Sequence, residues 1–347
     1  MFNAFKSFGF WVLSFVLLLV PGFSKACSVC GCGDPLASSG SAHPMADSWR
    51  LDFETIYLTA SALGDTPGTN QTESLRQTNL NTTLSYAPTD DLTLVAMFSL
   101  VQKYWALDKG PGNIDAGVGS TQSIADTATP FGIGDINVGI RYYFWQETDF
   151  KTKVHQALAL SVGAYLPTGG TNIVSGITGQ PIDTHAQLGI GALGLYAGLL
   201  YNHVWDGFTL SANANMVYHT QAFTTDTTSP VYEYTFGTSY TGGISGQLKV
   251  SDPIAVGLAL EGRYTNPDTE PNGNISNANG GNVTAGQPIW NTPNTGGIAI
   301  DLSPSVYWNA TGTAVLYGKV QIPTITNFIG QQTLGPSYIF GTQFLIN

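Results

Sequence analysis

The chain has 347 residues, only 10% of them charged, and a formal net charge of −11. A typical soluble domain is about 25% charged, so an ordinary water-facing globular surface is excluded. The acidic balance also excludes a nucleic-acid partner, which needs a basic footprint.

Residues 1–26 read as an export signal. Lys6 supplies the positive start, Phe8 to Val20 forms an apolar stretch, and Ser24-Lys25-Ala26 fits a small-x-small cleavage site. The apolar stretch falls short of the roughly 20 residues that a spanning helix requires. Without residues 1–26 the chain keeps 10 basic and 23 acidic residues, a net of −13. It then opens on Cys27-Ser-Val-Cys30-Gly-Cys32. Three thiols this close suit a soft metal such as Cu(I) or Zn(II), with His43 and Met45 as further ligands. An oxidising periplasm equally suits a Cys27–Cys30 disulfide. Lipidation of Cys27 is a third reading, and it lacks the usual leucine upstream. No Cys-x-x-Cys-His occurs, so covalent haem is not indicated. Residues 27–47 are therefore expected to form a periplasmic leader or plug, which could also meet a periplasmic partner.

From residue 48 to 347 the pattern changes to a period of two. The segment after Asp206-Gly207, a preferred hairpin turn, shows it most clearly. Phe208, Leu210, Ala212, Ala214, Met216 and Tyr218 alternate with Thr209, Ser211, Asn213, Asn215, Val217 and His219. One face is apolar; the other carries small amides and hydroxyls rather than the lysines and glutamates of a solvent-exposed sheet. That is the signature of a strand with lipid on one side and a wet lumen on the other. Twelve such strands are expected, at 48–62, 75–88, 91–107, 132–147, 153–167, 192–205, 208–221, 232–250, 253–265, 295–309, 312–322 and 334–346. Twelve is even, as a closed bacterial outer-membrane barrel needs. Connections after even strands are short: Thr89-Asp90, Thr148–Thr152, Asp206-Gly207, Ser251-Asp252 and Ala310-Thr311. Those after odd strands are longer, notably 108–131, 168–191 and 266–294. Short turns face the periplasm in this architecture, which places both termini there. The expected fold is an all-β transmembrane antiparallel barrel in the bacterial outer membrane, with outer-membrane lipid as its first partner.

Facing follows from the same period. Ile136, Val138, Ile140, Tyr142 and Phe144 point outward, as do Ile254, Val256, Leu258 and Leu260. Trp49, Tyr86, Trp205, Phe208 and Trp308 gather near the short-turn end as an aromatic girdle. The predicted lumen holds six bases (Arg50, Lys103, Arg141, Lys249, Arg263, Lys319) and five acids (Asp52, Glu54, Asp135, Glu261, Asp301). Charges inside a narrow barrel must be paired or hydrated, so these residues either lock strands together, select solutes by charge, or both. The last strand, Tyr338 to Ile346, alternates like an outer-membrane insertion signal, although the chain ends in Asn347 rather than an aromatic residue.

No enzymatic constellation is expected. A barrel hydrolase would need an outward Ser–His pair near the outer rim, and His203 falls outward at the opposite end. Gly132-Ile-Gly134-Asp135 leads into an alternating strand and not a helix, so it is no phosphate loop.

Several segments carry a family resemblance: Gly132 to Tyr142, Leu166-Pro-Thr-Gly169, the hairpin from Leu188 to Tyr218, Asn294-Thr-Gly-Gly297 with Leu302-Ser-Pro304, and Val320-Gln-Ile-Pro323. In this order the chain resembles the outer-membrane transporter-like family of meta-pathway phenol-degradation proteins. The resemblance implies a barrel that moves aromatic or other hydrophobic small molecules, with no catalytic residues. The cysteine leader lies outside the resembling segments. Two functions are thus expected: a channel or transporter for small-molecule solutes, or a barrel scaffold carrying a cysteine metal-binding or redox element. No cofactor is implied beyond that soft metal.

Overall fold

The computed structural model describes residues 46–63, 72–108, 125–177, 182, 184–220, 235–268, 296–328 and 331–346. The signal segment, Cys27, Cys30, Cys32, His43 and Met45 lie outside the described residues. The strands are β1 (Ser48–Leu63), β2 (Thr72–Thr89), β3 (Leu92–Asp108), β4 (Ala125–Ala128), β5 (Phe131–Ile133), β6 (Ile136–Asp149), β7 (Val154–Leu166), β8 (Gly194–Trp205), β9 (Phe208–His219), β10 (Ser239–Lys249), β11 (Ile254–Thr265), β12 (Gly297–Thr311), β13 (Ala314–Phe328), β14 (Gln331–Leu334) and β15 (Ser337–Ile346). All pairings are antiparallel. β4, β5 and β6 pair in turn with β3 and act as one interrupted strand. β14 and β15 do the same against β1. Because β1 also pairs with β2, the sheet closes on itself, with twelve strand positions around the wall. Closure leaves no unpaired edge, which lipid would not tolerate.

The outer face is apolar and exposed. Phe53, Leu84, Leu94, Phe98, Ile140, Leu160, Leu199, Leu258, Leu260, Leu302 and Phe340 all point away from the axis. Aromatic side chains rim this face at both ends. At the short-turn end Trp49 stacks on Tyr86 at 4.5 Å, and Trp205 packs on Phe208 at 5.3 Å. At the other end Tyr57 faces Tyr338, and Tyr240 stacks on Tyr264 at 5.9 Å. On β9 the rims are marked by Phe208 and Tyr218. These lie about ten residues apart, roughly 33 Å along a strand, which a tilt near 45° reduces to roughly 25 Å, the height of a barrel's hydrocarbon band.

Short turns at Asp90-Asp91, Phe150–Lys153, Asp206-Gly207, Val250–Pro253 and Gly312-Thr313 share one end with Ser48 and Ile346. Gly207 takes φ +83°, as that two-residue turn demands. Two turns sit one or two residues later than the sequence pattern suggests. The ladder shifts register after Tyr86 and after Asn309, so Thr89 and Thr311 stay in their strands.

Three strands show the largest differences from expectation. The fourth wall strand begins at Ala125 rather than 132, and it is interrupted at Pro130 and again at Gly134-Asp135. Proline lacks the N–H that a ladder needs, and its carbonyl still accepts from Lys103 N at 2.9 Å. β10 begins at Ser239 rather than 232. β13 runs on past Pro323 to Phe328. A register shift sets Pro323 opposite Asp301 and Ile325 opposite Ile300, leaving Thr324 unpaired. This bulge absorbs the missing donor, and Thr324 Oγ1 donates to Ile300 O at 2.8 Å.

Candidate functional site

The site is the barrel interior. Alternation along each strand turns one residue in two inward, and direct cross-strand partners share a side, so the inward residues form rows around the wall. Asn137, Gly139, Arg141 and Tyr143 occupy β6; Thr209, Ser211, Asn213 and Asn215 occupy β9 opposite Gln247, Ser245, Gly243 and Thr241 on β10. Asp301, Ser303, Ser305 and Tyr307 occupy β12.

The interior has two unequal sides. On β1–β3 and β6–β8 most inward residues are buried, among them Asp52, Asn81, Thr83, Val95, Met97, Asn137, Arg141 and Ser161. Val95, Tyr165 and Tyr196 make an apolar cluster there with Val217 of β9. On β9–β11 and β13 most inward residues keep contact with water: Ser211, Asn213, Asn215, Thr241, Ser245, Gln247, Glu261, Arg263, Tyr317, Lys319 and Gln321. The water contact of the interior therefore lies to one side, along a wall of amides, hydroxyls and paired charges.

Glycines let the inward tyrosines lie flat on the wall. Tyr196, from β8, spreads over Gly163 of β7 and Gly139 of β6, where any Cβ would collide with its ring. Tyr317 lies over Gly341 in the same way. Its ring meets Tyr307 at 6.0 Å and its hydroxyl donates to Glu54 at 2.9 Å.

Most of the lumen charges anticipated from sequence meet in one network on β11–β13 and β1. Glu261 accepts from Lys319 (2.6 Å), Ser303 (2.6 Å) and Gln321 (2.9 Å). Arg263 donates to Asp301 at 3.0 Å. Arg50 lies in the field of Asp52 on its own strand and, across the interior, of Tyr143 and the like-charged Arg141 of β6. Arg141 Nε donates to Ser161 at 3.4 Å. Lys249 stands apart from this network. It sits at the short-turn rim with its side chain 52% exposed, paired to Asp252 at 2.8 Å; the end of β10 simply runs out of the barrel there. The Lys249 ammonium holds the Asp252 carboxyl below its ordinary range.

Lys103 and Asp135 belong to a different arrangement, which periodicity gives no means of finding. Ile182 and residues 184–190 of the β7–β8 connection turn inward at the end opposite the short turns. Ile182 and Ala186 are buried against Leu75, Trp105 and Ala128. Lys103 Nζ donates to the carbonyls of His185 (2.7 Å) and Gln187 (2.6 Å). Asp135, at the second interruption of its strand, accepts from Gly169 N (2.9 Å) and Ile190 N (2.7 Å). Gln187 knits the segment to itself through Ile173 and Ile182. His185 pairs with Asp268, beyond β11, at 3.0 Å, and packs edge-on against Phe236. Gly169 and Gly189 touch backbone to backbone; such closely approaching glycines are the one sequence signal that could have pointed here.

Of the other histidines, His155 bonds Thr148 at 2.8 Å near the short-turn rim, and His219 is buried near Phe236. His203 faces outward, stacked on Trp205 at 3.6 Å. Among the described residues no group of three His, Cys, Asp or Glu is placed to hold a metal.

No protein-family model matches the chain, and no curated protein sequence matches it. Solved structures do. The COG4313 outer membrane channel from Pseudomonas putida F1 superposes with a TM-score of 0.56 at 12% identity, over 88% of this chain and 97% of that one. The transport unit of the autotransporter AIDA-I from Escherichia coli gives 0.49 at 11% identity, over 90% and 94%. The Ralstonia pickettii toluene transporter TbuX gives 0.39 at 10% identity, over 94% and 96%. The first likeness is one of fold. The closed wall, the apolar band and that likeness together make this a β-barrel of the bacterial outer membrane. The finer resemblance to meta-pathway phenol-degradation proteins has no matching family model behind it.

Proposed function

We propose that this barrel is a channel for small solutes, including aromatic molecules that carry polar groups. The observation that supports it most is the water contact of inward residues on β9–β11 and β13. Side chains that served only to fill a small barrel would be buried on every side, and here one side stays open. One of the flat-lying tyrosines fits the same reading. Tyr317, seated on Gly341 and in contact with water, offers a ring face to a passing solute without projecting across its path. The family resemblance adds aromatic or hydrophobic cargo, and the fold-level likeness is to an outer-membrane channel.

The test is single-channel recording in planar bilayers, with folding verified by heat-modifiable gel migration. Discrete current steps are expected, small ones, because a barrel of this strand number has a narrow interior. Well-folded protein that passes neither ions nor small aromatic solutes rejects the proposal.

A further inference from the structure

We infer that the inward β7–β8 segment is the gate of this channel, and that Lys103 and Asp135 are the positioning residues that hold it shut. This rests on the channel reading above. Two oppositely charged side chains, on neighbouring wall strands, grip the same segment. The ammonium takes carbonyl oxygens and the carboxylate takes N–H groups, so each reads the segment's backbone and not its side chains. Charge-assisted bonds of this kind are among the stronger hydrogen bonds. Both grips lie at the end where the long connections gather, and His185 carries the segment across to Asp268, beyond β11, and to Phe236, ahead of β10. A segment needed only for barrel stability would have no reason to enter the lumen, because the wall is already closed without it. Among its described residues Ile182, Ala186 and the partly buried Ile173 pack against the wall, a small apolar contribution. Its hold therefore depends largely on polar contacts, which a solute or a change of field can exchange for others more readily than it can unpack a core.

The experiment is single-channel recording on four refolded full-length proteins: wild type, Lys103→Met, Asp135→Asn, and the double variant Ile182→Asp/Ala186→Asp. The double variant expels the segment by making its buried side chains acidic while leaving the wall unchanged. Lys103→Arg serves as the conservative rescue, and gel migration establishes that each barrel has closed. The expected result is at least a twofold rise in conductance or open fraction for Lys103→Met, for Asp135→Asn and for the double variant, with Lys103→Arg close to wild type. Folded variants that all conduct as wild type does would overturn the gate and leave the channel reading standing. Silence in every protein, the expelled double variant included, would overturn the channel reading and the gate with it.

Discussion

At the level of single residues, Glu261 and Arg263 illustrate how lumen charge is arranged. Each lies on the accessible wall and each is neutralised by a neighbour, Lys319 and Asp301 respectively. Replacing one partner leaves the other uncompensated, so the two substitutions should act in opposite directions. Glu261→Gln frees the Lys319 charge and is expected to move the reversal potential in a salt gradient towards anion preference. Arg263→Glu sets a second carboxylate beside Asp301, and Arg141→Glu removes a cation from the opposite wall; both should move it towards cations. An unchanged reversal potential for Glu261→Gln would show that these pairs brace the wall and do not face the permeating ions. The glycine seats give a second prediction at this scale. Gly163→Val places a branched side chain where the Tyr196 ring lies. Overpacking of this kind costs about 1–3 kcal/mol, which urea unfolding in lipid or detergent would register, with a fall in conductance as the displaced ring turns inward.

At the level of elements, the readability of the sequence depends on what each strand contacts. β6 and β9 were readable almost residue by residue, because lipid on one side and water on the other impose opposite demands on successive positions. Ile136 to Phe144 and Phe208 to Tyr218 alternate as those demands require. The same logic failed at Pro130 and Pro323. A proline ends a strand by local rules, whereas a bulge against a long partner lets the strand continue; the pairing of Pro323 with Asp301 is long-range information. The inward β7–β8 segment was unreadable for a related reason. Its contacts with Lys103, Asp135 and Asp268 join residues far apart in sequence, and Lys103 and Asp135 look like any other inward charge. Facing also carries an energetic prediction. Leu258 sits midway between the two aromatic rims on β11, and Trp308 sits in the lower one, opposite Ile254. Arginine on the lipid face costs about 2–4 kcal/mol at the midplane and about 0–1 near the interface. Leu258→Arg should therefore destabilise the folded barrel far more than Trp308→Arg in an equilibrium unfolding series. Equal effects would mean that the belt has been placed at the wrong height.

At the level of the whole molecule, closure and asymmetry are separate properties. Closure depends on β15, which pairs with β1 on one side and β13 on the other. Without it both neighbours would present unpaired backbone groups to lipid, each costing several kcal/mol. Asymmetry arises inside the closed wall. Tyr196, lying on Gly139 and Gly163, packs one side, while the hydroxyl and amide rows of β9 and β10 keep the other in contact with water. The charge network therefore meets water only along part of the circumference. A solute crossing the barrel should then contact β9–β11 and β13 and miss β6–β8. This can be checked chemically, in a background where Cys27, Cys30 and Cys32 are serine. A cysteine at Ser245, on the open wall, should react with a small hydrophilic thiol reagent and lose current as the reagent narrows the path. A cysteine at Ser161, only 3% exposed on the packed wall, should react slowly and leave the current unchanged. Equal reactivity at the two positions would mean a symmetric lumen, and the flat tyrosines would then be wall packing with no part in shaping the route.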